Sequence, residues 1–253
     1  MPTALITGAS AGLGAEFARQ LAGRGADLVL VARSATTLEE LASELRETHG
    51  VAVEVIRADL LDDGDLERVA VRVADSEHPV DLLVDNAGFG LPLRFADNDI
   101  ADEVRHLRLH VEAPMRLMHA ALGAMRGRGG RIVNVASVAA FLPRSTYGAC
   151  KNWLVGFSRW ANAEYARDGV TVTALCPGFT HTSFHERMGL PPGEEGIPGV
   201  LWLHAPDVVR KGLRDAARGK SVSVPSLRYR AIVVLTRVLP SSLLARVGRR
   251  GRL

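Results

Sequence analysis

Thr7-Gly8-Ala9-Ser10-Ala11-Gly12-Leu13-Gly14 follows a short apolar run, Thr3–Thr7, and opens directly into a segment with Phe17, Ala18 and Leu21 at helical spacing. Glycines in a turn of this kind let the chain bend tightly and let a ligand approach the backbone closely. The helix that follows offers unpaired N–H groups and the positive end of its dipole, which together attract phosphate. A strand–glycine turn–helix unit therefore predicts a dinucleotide held by its pyrophosphate, with Gly8, Ser10, Gly12, Leu13 and Gly14 at the turn.

Working outward, the rest of the chain repeats the same alternation. Leu28–Val31 is an unbroken apolar run, as expected for a strand covered on both faces. Thr36 and Thr37, with Glu39 and Glu40 three residues on, predict the start of a helix bearing Leu38, Leu41 and Leu45. Further strands are predicted at Val51–Ile56, Val80–Val84, Ile132–Ala136, Val170–Leu175 and Ser221–Val224. Helical stripes lie between them: Leu66, Val69 and Val73, a long one from about Asp99 to Met125, and Tyr147 to Ala166. Pro114 should bend the long helix or interrupt its bonding. About seven strands with intervening helices predict an α/β fold, a doubly wound (Rossmann) parallel sheet with helices on both faces. In such sheets, ligands sit beyond the carboxyl ends of the strands. Residues 1–253 read as one dinucleotide-binding and catalytic domain, with a proline- and glycine-rich substrate lid near 179–205 and a basic extension near 226–253.

The net charge of +3 is small, but Arg228, Arg230, Arg237, Arg246, Arg249, Arg250 and Arg252 crowd the final stretch. This tail reads either as a solvated, frayed end or as a contact for an anionic membrane surface, a nucleic acid or an acidic partner. No nucleic-acid partner is expected from the domain itself. Cys150 and Cys176 lack metal-ligand spacing and read as reduced core thiols. The first strand begins almost at Met1, with no secretory pattern before it, and no apolar run is long enough to cross a bilayer. A cytoplasmic location is expected. His181, His185 and Glu186 superficially suggest a metal face, but no third ligand accompanies them and no metal is predicted.

The end of the second strand bears on which dinucleotide binds. A carboxylate there would bind a ribose 2′-hydroxyl and repel a 2′-phosphate, whereas this chain has Val31-Ala32-Arg33-Ser34. Arg33 can clasp a phosphate with a planar fork of donors, so NADP(H) is expected. The reactive groups follow later strands: Ser137, then Tyr147-Gly148-Ala149-Cys150-Lys151 opening a long helix. Tyr147 and Lys151 are i and i+4 and share one face. An ammonium beside the phenol is expected to lower its pKa from near 10 and suit it to proton transfer. Ser137 can hold a substrate oxygen against that phenol.

Together with Asp59-Leu60 after the third strand, Asn86-Ala87-Gly88 after the fourth, and Pro177-Gly178 with Thr182 after the sixth, these motifs resemble the short-chain dehydrogenase/reductase family over nearly the whole chain to about Pro225. The resemblance is to single-domain NADP(H)-preferring members, including the ketoacyl and ketosteroid reductase branch. It implies hydride transfer between nicotinamide and a carbonyl or secondary alcohol, with a lipophilic ketone as the expected substrate. It further implies that Asp59 and Leu60 border the adenine and that Asn86, Ala87 and Gly88 line the ribose. Pro177, Gly178 and Thr182 would hold the carboxamide. Lys151 would bind the nicotinamide ribose as well as tune Tyr147. Where the family usually carries an Asn that holds a relay water, this chain has His110, which either joins the relay and titrates near neutrality or only packs. The Ser137–Tyr147 segment is shorter than usual, so the substrate mouth should be reshaped. Relatives commonly form homodimers or homotetramers through the two long helices. The alternative function is a non-catalytic NADP(H)-binding redox sensor, which would need only the glycine turn and Arg33.

Overall fold

The structure, a computed structural model, describes residues 2–91, 95–143, 145–182 and 198–239. Strands and helices alternate along the described residues: β1 (Thr3–Thr7), α1 (Gly12–Ala22), β2 (Asp27–Ala32), α2 (Ala35–His49), β3 (Val53–Arg57), α3 (Asp63–Ala74) and β4 (Leu82–Asp85). Then come α4 (Ile100–Leu107), α5 (Ala113–Met125), β5 (Gly130–Val135), α6 (Thr146–Tyr165), β6 (Val170–Leu175) and β7 (Thr180–His181). The last elements are β8 (Leu203–His204), α7 (Ala205–Ala217), β9 (Val222–Ser223) and α8 (Leu227–Val238).

Seven strands form one sheet in the order β3-β2-β1-β4-β5-β6-β9, and every neighbouring pair is parallel. The chain steps outward from β1 to β3, then restarts at β4 on the other side of β1. That reversal opens a crevice beyond the strand ends between β1 and β4. The expected doubly wound sheet is present. Its two faces carry separate cores, because side chains alternate along each strand. Leu5 packs into the layer under α3, α5 and α6, while Ala4 and Ile6 pack under α1, α2 and α7. Phe17 is fully buried and anchors α1 to its layer; truncating such a ring typically costs about 3–5 kcal/mol.

Local chemistry sets the element ends. α2 begins at Ala35, one residue before the predicted Thr36 signal, because Ser34 serves as the N-cap and accepts a hydrogen bond from the Thr37 N–H. β3 starts at Val53 and not at Val51, since the Ala52 N–H is taken by the Asp27 carboxylate. The long helix expected from Asp99 to Met125 is two α-helices joined by a π-helical turn at Arg108–Glu112. Pro114 lies just after this turn and cannot donate to the carbonyl four residues back. The wide turn, with the Ala113 N–H on the Arg108 carbonyl, accommodates that loss.

Two expectations need correction. The stretch 179–205 was read as a loop with little regular structure, yet its flanks form a small ladder, β7 pairing with β8, and residues 183–197 lie outside the described residues. Helix α7 was not anticipated, although Pro206 at its start and the buried Val208, Val209, Leu213 and Ala216 carry a helical signature. His185, Glu186 and the tail from residue 240 also lie outside the described residues.

Candidate active site

A cleft of about 910 Å³ runs across the carboxyl ends of the strands. The nucleotide end is made mostly of backbone. Gly8 and Gly12 have φ of +64° and +57°, in the left-handed region that suits glycine. A side chain at Gly8 would start 2.9 Å from the Ala87 Cα, so nothing larger than hydrogen fits. Helix α1 has Ala11 as its N-cap with no side-chain cap, and no acidic residue in its first turn. Its leading N–H groups are therefore left for an anion. Gly8, Ser10, Gly12 and Leu13 line the cleft here. Gly14 does not. It lies behind the turn, where a Cβ would meet the Gly8 carbonyl oxygen at 2.2 Å, so it serves helix–strand packing.

Arg33 is exposed at the end of β2 and lines the same end of the cleft, with Asp59 and Leu60 following β3. A free guanidinium beside an open helix N-terminus and a glycine cradle fits a dinucleotide that carries an extra phosphate. Asn86, Ala87 and Gly88 line the middle. The Asn86 amide is committed to the protein, donating to the Thr7 carbonyl at 2.9 Å and to the Gly8 carbonyl at 3.2 Å. The Thr7 hydroxyl accepts from the N–H groups of Asn86 and Ala87 at 2.9 and 3.1 Å. Thr7 and Asn86 thus hold the glycine turn in shape. Pro177, Gly178 and Thr182 line the far wall, and Thr182 packs against Gly12.

The chemical end is built from side chains. Ser137 lies two residues beyond β5 and caps the following turn, accepting from the Ala139 N–H at 3.1 Å, and its hydroxyl is hydrogen-bonded to the Tyr147 phenol. Tyr147 opens α6, with the Ser145 hydroxyl as the helix N-cap. One turn on, the Lys151 ammonium lies 5.7 Å from the centre of the Tyr147 ring and donates to the Val135 carbonyl at 2.7 Å. The expected depression of the Tyr147 pKa is not found. Although the residue as a whole is only partly exposed, loss of water around the phenol pushes its pKa up to about 12, against the opposing hydrogen bond from Ser137. Burial likewise brings Lys151 down to about 8. Asp85 opposes this shift only in part, because desolvation raises that carboxyl well above the usual range despite the nearby Lys151.

His110 is buried and its ring meets the Tyr147 ring edge-on, with centroids 5.5 Å apart. Its Nε2 lies 2.7 Å from the Phe89 carbonyl oxygen and 3.2 Å from the Phe89 nitrogen; the shorter contact needs a donor and favours the proton on Nε2, and its Nδ1 has no hydrogen-bond partner among the described residues. Burial first, and then Lys151 and His106, push its pKa well below the ordinary value. The expectation that it titrates near neutrality is therefore corrected: it stays a neutral imidazole. His106, absent from the sequence-based expectations, has its ring tilted against that of His110 with centroids 4.3 Å apart, and is held down to about 4, mainly by desolvation. Its i, i+4 relation to His110 was the available signal.

Also missed was the apolar wall from α8. Tyr229, Ile232, Val233 and Thr236 line the cleft opposite Phe141, Leu142 and Leu201. Tyr229 donates to the Leu201 carbonyl at 2.8 Å and accepts from the Phe179 N–H at 3.1 Å. A Cβ at Gly178 would sit 2.0 Å from the Tyr229 ring, so this glycine makes room for α8.

The family model for short chain dehydrogenases matches residues 2–190. A Streptomyces coelicolor protein named as a ketoacyl reductase is 36% identical over 187 residues, covering 71% of this chain and 70% of the relative. A short-chain dehydrogenase from Sphingobium yanoikuyae, solved in complex with NADPH, is 34% identical with a TM-score of 0.85, covering 94% of both chains. A bulky-bulky ketone specific alcohol dehydrogenase from Comamonas testosteroni is 32% identical, TM-score 0.80, with 96% of both chains covered. The chain belongs to the short-chain dehydrogenase family, and it is an oxidoreductase of that family.

Proposed function

We propose that this protein is an NADP(H)-dependent reductase of lipophilic ketones, built as one domain over residues 1–253 with a substrate lid near 179–205. What supports this reading most is the convergence of Ser137, Tyr147 and Lys151 on a cleft that also contains the open α1 N-terminus and Arg33. Relatives solved with NADPH and with a name that specifies bulky ketones point the same way. Bound in this cleft, NADPH supplies the hydride that reduces the carbonyl carbon.

The chain's own groups handle the oxygen. A phenol with a pKa near 12 keeps its proton at neutral pH, which is the form that carbonyl reduction uses. Tyr147 gives that proton to the ketone oxygen, while the Ser137 hydroxyl donates a hydrogen bond that aligns it. The Lys151 ammonium offsets the negative charge that remains on Tyr147. Arg33 binds the 2′-phosphate, the first turn of α1 binds the pyrophosphate, and Thr7 and Asn86 keep the turn in register. His110, neutral at all working pH values, packs Phe89 and Tyr147 into position. An intact set of proton-handling residues exceeds what a redox sensor requires. The test is NADPH oxidation measured against a panel of ketones. Turnover with bulky apolar ketones is expected, and no turnover across the panel, with NADPH binding retained, overturns the reading in favour of the sensor.

The exposed Val104 and Leu107 on α4, Met115 on α5 and Trp160 on α6 support a homodimer or homotetramer through these helices. Sedimentation at micromolar concentration should give a multiple of the 27.2 kDa chain. The two buried free thiols are compatible with a reducing compartment and support a cytoplasmic location. The arginine-rich tail supports contact with a membrane surface there.

A further inference from the structure

Helix α8 has two unlike faces. One closes the cleft, with Tyr229 and Val233 buried and Ile232 and Thr236 lining the wall. The opposite face carries Leu227, Ala231, Val234 and Leu235, spaced i, i+4, i+7 and i+8 along one stripe. Leu227 is 78% exposed, Val234 59% and Leu235 52%. Arg228 and Arg230 flank the stripe on its two sides, and Arg228 donates to the carbonyl of the exposed Val200 at 2.6 Å. From Ser226 to Leu253 the sequence holds seven arginines and neither Asp nor Glu.

A helix that is apolar on both faces must have both covered or lie at an interface. A second copy of the chain fits poorly here, because a two-fold contact sets the same patch against itself and would oppose arginine with arginine. An apolar stripe flanked on its own helix by Arg228 and Arg230 complements a surface with apolar depth and negative charge.

The geometry points to the outer face of α8 as a docking surface for an anionic lipid bilayer, with Arg228 and Arg230 beside the headgroups. This rests on the ketone-reductase reading and extends it to how substrate arrives. An α-helix with its side chains is about 10–12 Å across. A helix lying in the interface therefore holds the cleft wall about one helix diameter from the acyl chains. A ketone dissolved in the bilayer then reaches the cleft past Ile232 and Thr236 without a long passage through water.

The test uses the full-length protein with two vesicle compositions, pure phosphatidylcholine and an equal mixture with phosphatidylglycerol. Co-sedimentation should favour the anionic vesicles at least tenfold and weaken as salt is raised. Leu227→Glu combined with Val234→Glu should abolish at least nine-tenths of that binding. Neither residue lines the cleft, so NADPH oxidation with a water-soluble ketone should be unchanged, while turnover of a bilayer-dissolved ketone drops with vesicle binding. Equal sedimentation of wild type and variant, or none with anionic vesicles, overturns the proposal. So does a variant whose only change is a smaller mass in solution, which would make this face a contact between copies. The soluble-ketone assay reports on the reductase reading separately, since its failure in the wild type sinks that reading whatever the vesicles show.

Discussion

Across the cleft from the Gly8–Leu13 turn, which offers backbone N–H groups and a helix end, stand Ser137, Tyr147 and Lys151, which offer three side chains, Lys151 buried and the other two partly exposed. The nucleotide rim works by shape. Its glycines keep the space clear, Thr7 and Asn86 brace the turn, and the Arg33 guanidinium stays exposed. The chemical rim works by desolvation, which holds Tyr147 up to about 12, Lys151 down to about 8 and the two histidines neutral. Damage to the first rim should cost binding, and damage to the second should cost turnover.

Tyr147→Phe gives the sharpest form of that contrast. Removing the proton donor should lower kcat for ketone reduction about 10³-fold while the NADPH dissociation constant, read by fluorescence titration, stays within about twofold. A matching loss of both would break the division between the rims. Gly8→Val is the mirror case. The new side chain meets the Ala87 backbone and must adopt a disfavoured φ. NADPH affinity should fall about 100-fold or more, with a lower melting temperature. Arg33→Ala should weaken NADPH about 10- to 100-fold and NADH less than about threefold, the difference a charge-assisted contact to one phosphate makes. Equal losses for both cofactors would assign Arg33 a different job.

pH offers a smaller effect on the chemical rim. Ketone reduction should decline above about pH 8 as Lys151 loses its proton. The same shift carries a stability signature. Because the folded-state pKa of Lys151 lies below its unfolded value of 10.5, the unfolded chain binds more protons between about pH 8 and 10.5. This residue's contribution to stability therefore rises with pH across that window. Denaturant titrations at both ends should show the rise in the wild type and its absence in Lys151→Met. The smallest effect is expected for His110→Asn. A neutral, packed imidazole contributes position, so turnover should change less than about tenfold and the pH–rate profile should gain or lose no limb near 6.5. A limb that disappears with His110 would restore it to the proton path.

The cradle was legible because its determinants are local. The Gly8, Gly12 and Gly14 spacing, the run Leu28–Val31 and the i, i+4 pair Tyr147–Lys151 each depend on residues a few positions apart, and each describes a real element. Element ends were read less well where a distant partner decided them, as when the Asp27 carboxylate takes the Ala52 N–H and delays β3. The same holds at the site. Nothing near Gly178 in the chain reveals that Tyr229 fills the space above it, and nothing near Asn86 reveals that its amide is spent on the Thr7–Gly8 turn.

By itself the sequence determined the alternating α/β order, the glycine turn, the arginine at the end of β2 and the identity of the reactive groups, because periodicity and turn chemistry act over one or two turns of chain. The tertiary structure decided the protonation states of Tyr147, Lys151 and His110, the pairing of His106 with His110, and the part α8 plays in closing the cleft. Those depend on how much water each group loses, and that is set by elements far apart in the chain meeting across one sheet.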